Sequence, residues 1–258
     1  QGDTLTEDLD LSYRAQLKHW KFEYVDKIVT PAELPITVNA IRSQQFRWNK
    51  GGAENFRKMI GQVIWAKDHN TWTKINSFFH LLNSSMFLNV LLVSILSVPL
   101  IFIKASYPDL AFTFDLSSLF VISTIIFFFC YWFIHKHVFG GGFSSFLIYI
   151  RRFITFYTLV MGFSIHNSIA VLEGHLGKKS PFIRTPKFNK SNLNNNKYFV
   201  KKISAYSLIE LFTAFYFIFG LVSAFLLGPK VDFGLVLFHF ILFIGFTYIS
   251  CQDLKQSF

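Results

Sequence analysis

Charged residues are scarce in this chain, since Asp, Glu, Lys and Arg make up only 16% of its 258 residues. A soluble domain carries about 25%, so the composition argues against a soluble globular enzyme. Apolar residues take up 52% of the chain, with 34 Phe among them, and they cluster in long runs. Such clustering predicts a mainly α, polytopic membrane protein rather than a large soluble core.

Acidic residues and cysteines are also few. Fifteen Asp and Glu oppose 25 Lys and Arg, which gives a formal net charge of +10. The positive excess flanks the apolar runs and no nucleic-acid motif accompanies it, so we expect membrane lipids as partners and no nucleic acid. The two cysteines, Cys130 and Cys251, have no metal-ligand spacing, and the sequence predicts no metal site in this chain.

Four apolar runs are long enough to cross a bilayer, which takes about 20 residues. They cover residues 78–103, 116–134, 206–227 and 231–250. A fifth run, 143–172, is interrupted by Arg151, Arg152 and His166, and basic residues flank it on both sides. Because basic flanks favour the cytoplasmic side, we expect this run to be an interfacial or re-entrant element; a fifth crossing is the alternative.

The chain divides into a polar part, residues 1–72, and a membrane region, residues 73–258. In the polar part, Thr4 and Glu7 fit a helix capping box, and the alternation in residues 21–25 predicts a short strand. Residues 36–58 are basic and amphipathic, which is typical of an interfacial helix or of a helix packed on a soluble domain. In the membrane region, residues 173–203 form the most basic loop, so we expect it on the cytoplasmic side.

Three short motifs follow one another along the chain. The first, Thr6-Glu7-Asp8, is ordinary capping chemistry when taken alone. In the second, Gln44, Arg47 and Trp48 share one face of a helix and offer an amide, a phosphate donor and a stacking surface. An interfacial helix with Arg and Trp anchors would look similar. The third, residues 182–187 (Phe-Ile-Arg-Thr-Pro-Lys), would by itself be a basic loop.

In this order, and followed by membrane helices, the motifs resemble the family-2 inverting glycosyltransferases of the cellulose synthase-like and mannan synthase-like group. Residues 6–22 and 31–35 are similar to the mannan-synthase-like branch. The third motif is similar to the Phe-x-Val-Thr-x-Lys gating loop of cellulose synthases, with Arg184 in place of Val. The resemblance implies that residues 1–72 are the C-terminal remnant of a GT-A α/β glycosyltransferase domain, followed by interfacial helices and about four transmembrane helices.

The resemblance also implies roles for the motif residues. Asp8 would be the catalytic base and Glu7 would support it, while Gln44 and Arg47 would stabilise the leaving nucleotide diphosphate and Trp48 would stack on the acceptor sugar. The gating loop would comprise Phe182, Arg184, Thr185 and Lys187. We expect Asp8, Gln44, Arg47, Trp48 and Thr185 to converge at the cytoplasmic end of the helices. Outside these motifs, we interpret Asp10, His166, Asn167 and Glu173 as structural.

The implied function is transfer of a hexose from a nucleotide-sugar donor to a growing β-linked polysaccharide, together with translocation of the polymer. The enzyme would be a multi-pass protein of the bacterial inner (plasma) membrane, with its catalytic side in the cytoplasm. It would need a divalent cation (Mg²⁺ or Mn²⁺) whose ligands would precede Gln1, so we expect this chain to be inactive alone. The alternatives are single-sugar transfer to a lipid acceptor and a non-catalytic channel or transporter.

Overall fold

A computed structural model of the chain describes residues 2–25, 27–35, 37–117, 119–183, 205–227 and 232–257. Every regular element in these residues is helical. The α-helices are α1 (Glu7–Leu17), α2 (Val38–Trp65), α3 (Thr71–Leu82), α4 (Met86–Ser106), α5 (Ala111–Ser117), α6 (Leu119–Phe139), α7 (Phe143–Gly162), α8 (Ser164–His175), α9 (Ala205–Leu226) and α10 (Phe233–Ser257). Short 3₁₀ turns at Asn83–Ser85 and Pro108–Leu110 precede α4 and α5.

The chain forms two compact units. The first unit comprises Gln1–Leu92, Phe163–Ser207 and Cys251–Phe258, and its described residues include the first two sequence motifs and the start of the third. The second unit comprises Val93–Gly162 and Leu208–Ser250 and consists of long apolar helices.

Two expectations for the polar part are wrong. Residues 21–25 have no regular structure, because a strand needs a partner for its backbone hydrogen bonds and the described residues contain no other strand. The capping box predicted from Thr4 and Glu7 is also wrong. The residue at the N-cap position of α1 is Thr6, and its side chain makes no hydrogen bond to the first turn of the helix. The acidic side chains of Glu7, Asp8 and Asp10 lie instead in the first turn, at the positive end of the helix dipole. The described part of residues 1–72 therefore lacks the strands of the expected α/β remnant.

Helix α2 is the centre of the first unit. Thr37 caps it by accepting a hydrogen bond from the Ala40 amide at 3.2 Å, and it runs seven residues beyond the predicted limit of 58. Its apolar face packs into a small core with α1 and α3, formed by Tyr13, Met59, Val63 and Leu81. Within residues 36–58, Phe56 packs against this core and Val38 and Ala53 are buried, which favours the packed-helix interpretation, although Trp48 is exposed.

Helix α8 crosses α2 at a point where neither helix has a large side chain. A Cβ atom added to Gly174 would lie 2.6 Å from the Lys50 carbonyl oxygen and 2.7 Å from the Ala53 Cβ. Ala53 is completely buried there. The crossing therefore depends on the missing side chain of Gly174, because the Lys50 backbone cannot move aside without distorting α2.

Five helical segments are long and apolar enough to cross a membrane, judged by length and composition within the described residues. They are Thr71–Ser106, Ile122–Phe139, Phe143–Gly162, Ala205–Leu226 and Phe233–Lys255. The sequence predicted four, and the additional one is α7. Together these helices indicate an integral, multi-pass membrane protein.

The run 143–172 is not the single element that we expected. It divides at Phe163 into α7, in the second unit, and α8, in the first. Arg151 and Arg152 are exposed and lie near the middle of α7. The Asp, Glu, Lys and Arg residues of the other four segments lie nearer to a segment end. An arginine at the centre of a spanning helix costs about 2.5–3.5 kcal/mol, so charge position distinguishes α7 from the other candidates.

The α2–α8 crossing can be tested with two glycine substitutions in the same helix pair. Gly174→Ala should lower the midpoint of thermal unfolding in detergent, because overpacking costs about 1–3 kcal/mol. That loss should outweigh a helix-propensity gain of at most about 1 kcal/mol. Gly61→Ala on α2, where a Cβ has open space, should raise the midpoint. A Gly174→Ala protein as stable as Gly61→Ala would contradict the close crossing.

Candidate functional site

The first motif lies against the backbone of α2. Asn55, which is fully buried, donates to the Thr6 hydroxyl at 2.9 Å and to the Thr6 carbonyl at 3.2 Å. The Leu5 amide donates to the Glu54 carboxylate at 2.8 Å. A Cβ on Gly51 would approach the Thr6 hydroxyl to 2.6 Å, so the absence of a side chain at Gly51 makes room for this turn.

The second motif lies on the same face of α2. Gly51 follows Arg47 by four residues and Asn55 follows Gly51 by four, so all three belong to one stripe of the helix. At 1.5 Å per residue, Arg47 lies about 6 Å along the axis from the position that contacts Thr6. Glu7 and Asp8 follow Thr6 directly in the chain, so the first motif begins beside the stripe of α2 that carries Arg47.

The motif side chains remain accessible. Glu7 and Asp8 are exposed, and Asp8 accepts a hydrogen bond from the Leu9 amide at 2.8 Å. Trp48 exposes 49% of its surface, whereas Gln44 and Arg47 are half-buried. This pattern leaves the carboxylates of the first motif and the indole of Trp48 accessible to solvent.

The third motif meets the second through its first residue. The Arg47 guanidinium lies 4.7 Å from the centre of the Phe182 ring, which is a cation–π contact. Phe182 also lines a cavity of about 400 Å³ together with Glu7. The other lining residues include Asp3, Thr4, Glu54, Lys179 and Ser180. Of the predicted gating residues, Arg184, Thr185 and Lys187 lie outside the described residues.

A buried lysine, which the sequence analysis did not identify, ties the third motif to α2. Lys50 is fully buried, and its ammonium group donates to Glu173 at 2.9 Å and to Ser180 at 2.5 Å. Lys178 donates to the other oxygen of Glu173 at 2.5 Å. Burial raises the pKa of Glu173, but the bonds from Lys178 and Lys50 outweigh it and hold that pKa below its usual value. The segment before Phe182 is therefore anchored on the helix that carries the second motif.

Asp10 is held by two cations. Its carboxylate is fully buried and lies 2.8 Å from Arg14 and 2.7 Å from Lys58. Lys58 also pairs with Asp3 at 2.7 Å. Burial raises the pKa of Asp10, but the bonds from Lys58 and Arg14 lower it further than burial raises it. Asp10 thus joins α1 to α2, in line with a structural role.

The N-terminal half of α2 is fixed by a second buried pair. Arg42 donates to Asp253 at 2.7 Å, and both side chains are almost fully buried. Ser207 donates to the same carboxylate. His166 lies beside this pair, since its Nε2 is 3.1 Å from the Arg42 carbonyl oxygen. Within the described residues, no three His, Cys, Asp or Glu side chains come close enough to hold a metal ion.

Burial lowers the pKa of His166 to about 4. The positive charge of Arg42 lowers that pKa as well, and only the hydrogen bond to the Arg42 carbonyl opposes the shift. His166 is therefore neutral at pH 7 and donates its Nε2 hydrogen to the backbone of α2. His166 is therefore a buried residue that joins α8 to α2 through this hydrogen bond.

Part of the chain is similar to plant polysaccharide synthases. A stretch of 94 residues, 36% of this chain, is 40% identical to glucomannan 4-beta-mannosyltransferase 7 of Arabidopsis thaliana. A stretch of the same length is 44% identical to the probable glucomannan 4-beta-mannosyltransferase 2 of Oryza sativa subsp. japonica. Each stretch covers 16% of the relative, so the chain matches about a sixth of the length of these curated relatives.

The predicted resemblance to the mannan-synthase-like group is thus confirmed over about a third of the chain. These relatives are plant proteins and give no support to the expectation of a bacterial membrane. No protein-family model matches the chain. No solved structure gives a significant match to it either.

The low pKa of His166 predicts a specific pH dependence. Unfolded His166 takes up a proton near pH 6.5, whereas the folded residue does so only near pH 4, so stability should fall as the pH drops through this window. The free energy of unfolding should decrease by about 2–3 kcal/mol between pH 7.5 and pH 4.5 from this residue. His166→Gln, which keeps a donor at the same position, should remove that part of the decrease in a denaturant titration. His175, whose pKa burial also lowers, should retain its own contribution in both proteins.

The Lys50 anchor predicts a measurable coupling. Lys50→Met should destabilise the protein by about 1.5–3 kcal/mol, the value of a hydrogen bond to a charged group, because Glu173 then keeps only Lys178. The double variant with Glu173→Gln should lose less than the sum of the single variants in chemical unfolding. Lys67→Met, on an exposed lysine, should change stability little. Additive losses would show that Lys50 and Glu173 do not interact.

Proposed function

We propose that this chain is the membrane-proximal part of a glycosyltransferase that transfers a hexose from a nucleotide sugar to a growing β-linked polysaccharide. The observation that carries the proposal is the position of the Thr6 turn at Gly51 and Asn55, on the α2 face that also bears Arg47 and Trp48. The names of the plant relatives support mannose as the sugar and a β-1,4 linkage. The long apolar helices support membrane attachment and passage of the polymer.

In this proposal, Asp8 is the catalytic base. Its exposed carboxylate accepts the proton of the acceptor hydroxyl while the hydroxyl oxygen attacks the anomeric carbon of the donor sugar. The bond between that carbon and the diphosphate breaks on the opposite face, so the configuration is inverted and the nucleoside diphosphate leaves. Glu7, the neighbouring exposed carboxylate, adds negative charge that favours proton transfer to Asp8.

The second motif binds the leaving diphosphate and the acceptor sugar. Arg47 and Gln44 donate hydrogen bonds to the diphosphate, where negative charge develops in the transition state. Trp48, half of which is exposed, stacks on the apolar C–H face of the acceptor pyranose. Because Arg47 already contacts Phe182, departure of the diphosphate is linked to the position of the third motif.

The third motif acts as a gating loop in this proposal. Lys50 fixes Ser180 on α2, so closure would begin at Phe182 and involve Arg184, Thr185 and Lys187. A bound divalent cation would neutralise the donor diphosphate. The described residues provide no ligand set for it, so no step above depends on the cation, and its ligands are proposed to lie in another part of the complete enzyme.

Transfer of a single sugar to a lipid acceptor is the second candidate function. It uses the same base and the same Arg and Trp positions, so only the size of the product separates it from polymer synthesis. The long apolar helices favour it, because a protein with such helices lies among lipids.

The direct test measures incorporation of radiolabelled sugar in membranes that contain the complete enzyme. GDP-mannose, UDP-glucose and UDP-N-acetylglucosamine are compared, and we expect a polymer from GDP-mannose alone. Asp8→Asn should reduce its formation at least about 100-fold, the lower range for loss of a general base. Asp109→Asn, an exposed carboxylate in another turn, should leave it unchanged.

Each other outcome has a definite meaning. A product of lipid size would establish single-sugar transfer, and polymer formation by Asp8→Asn would exclude Asp8 as the base. The 258-residue chain expressed alone should give no product with any donor. Turnover by that chain would contradict its assignment as one part of the enzyme.

A further inference from the structure

Asn55 is the fully buried side chain of α2 that holds the start of α1. Its amide nitrogen lies 2.9 Å from the Thr6 hydroxyl, 3.2 Å from the Thr6 carbonyl oxygen and 3.0 Å from the Gly51 carbonyl oxygen of its own helix. Its amide oxygen, which is also buried, has no hydrogen-bond partner among the described residues. Asn55 therefore joins α2 to Thr6 through its donor group alone.

This contact takes the place of the usual N-cap of α1. Thr6 occupies the N-cap position, where a threonine hydroxyl normally accepts a hydrogen bond from the first turn of its own helix. Here the hydroxyl makes no such bond and accepts one from Asn55 instead. The Thr6 carbonyl accepts from both Asn55 and the Asp10 amide, each at 3.2 Å. The first turn of α1, which carries Glu7 and Asp8, is thus oriented by a side chain of α2.

The backbone of α2 sets how closely the turn approaches. A Cβ on Gly51 would lie 2.7 Å from the Thr6 Cγ2 and 2.9 Å from the Thr6 backbone nitrogen. The turn therefore packs directly on the α2 backbone at this glycine. Next to Asn55, Glu54 accepts a hydrogen bond from the Leu5 amide at 2.8 Å. Two consecutive residues of α2 thus hold two consecutive residues that lead into α1.

The rest of α1 has separate attachments to the first unit. One turn beyond Thr6, Asp10 pairs with Lys58 at 2.7 Å. Two turns beyond Thr6, Tyr13 packs into the small core. Loss of the Asn55 contact would therefore leave α1 in place and release the end that carries Asp8.

We propose that Asn55 is a positioning residue for glycosyl transfer, which sets through Thr6 the place from which Asp8 takes the acceptor proton. The inference rests on the proposed function, in which Asp8 is the base. A general base must lie within hydrogen-bond reach of the proton that it removes, so the orientation of the first turn of α1 decides whether Asp8 can act. Asn55 acts through Thr6 and does not itself contact the reacting atoms.

The test replaces Asn55 in the complete enzyme. Asn55→Leu keeps a side chain of similar size and removes the donor group. In membranes supplied with radiolabelled GDP-mannose, it should lower kcat by about 10- to 100-fold, because misplacing a reacting group by about 1 Å costs up to about 100-fold. The KM for GDP-mannose should stay nearly unchanged, because Gln44 and Arg47 keep their positions on α2.

A second background separates positioning from stability. In Asp8→Asn the base is already absent, so adding Asn55→Leu should lower the remaining rate only slightly. A purely structural role would lower the rate by the same factor in both backgrounds, because the same fraction of the enzyme would be unfolded in each. Equal factors would therefore overturn the inference.

The matched control is Asn76→Leu on α3. Asn76, like Asn55, donates to the carbonyl oxygen four residues earlier, here that of Trp72 at 3.0 Å, but its side chain is exposed. This variant should keep the wild-type kcat, and a loss as large as that in Asn55→Leu would overturn the inference.

The single variants distinguish this inference from the proposed function. A wild-type kcat in Asn55→Leu, together with loss of polymer in Asp8→Asn, would overturn the positioning role and leave Asp8 as the base. Wild-type polymer formation by Asp8→Asn would overturn both.

Discussion

The need to satisfy charged and polar groups inside the protein organises the first unit. Arg42, Lys50 and Asn55 are all buried on α2, and a buried cation without a partner would destabilise the fold by several kcal/mol. Each of the three finds its partner in a different part of the chain: Asp253, Glu173 with Ser180, and Thr6. Helix α2 therefore binds the first motif, the start of the third motif and the end of α10 at defined positions along its axis.

Composition and periodicity predict the helices of this protein well, because an apolar run of sufficient length has few other ways to satisfy its backbone. They predict the second motif's common face for a similar reason, since i, i+3 and i+4 spacing is a property of the helix itself. The failures arise where tertiary contacts decide. Residues 21–25 alternate like a strand but find no strand partner among the described residues, and the break at Phe163 divides a continuous apolar run.

The candidate site was only partly predictable. Motif order selects Asp8, Arg47 and Trp48 as candidates, whereas the sequence gives Lys50 no feature that separates it from the other basic residues of an amphipathic helix. Its burial depends on Glu173, which lies 123 residues further along the chain, and a single sequence carries no signal for such a pairing. Hydropathy alone makes α7 comparable to the other four candidate spans. The two arginines at its centre are the sequence feature that distinguishes it from them.

The uninterrupted helix between Arg42 and Lys58 has a consequence for how this protein can change. Inserting or deleting one residue there would turn everything beyond it by about 100° around the axis, because a turn takes 3.6 residues. Lys50, Asn55 and Lys58 could not all keep their partners after such a rotation. Single substitutions can be accommodated one contact at a time, but the length of this segment is fixed, and insertions are confined to the connections outside α2.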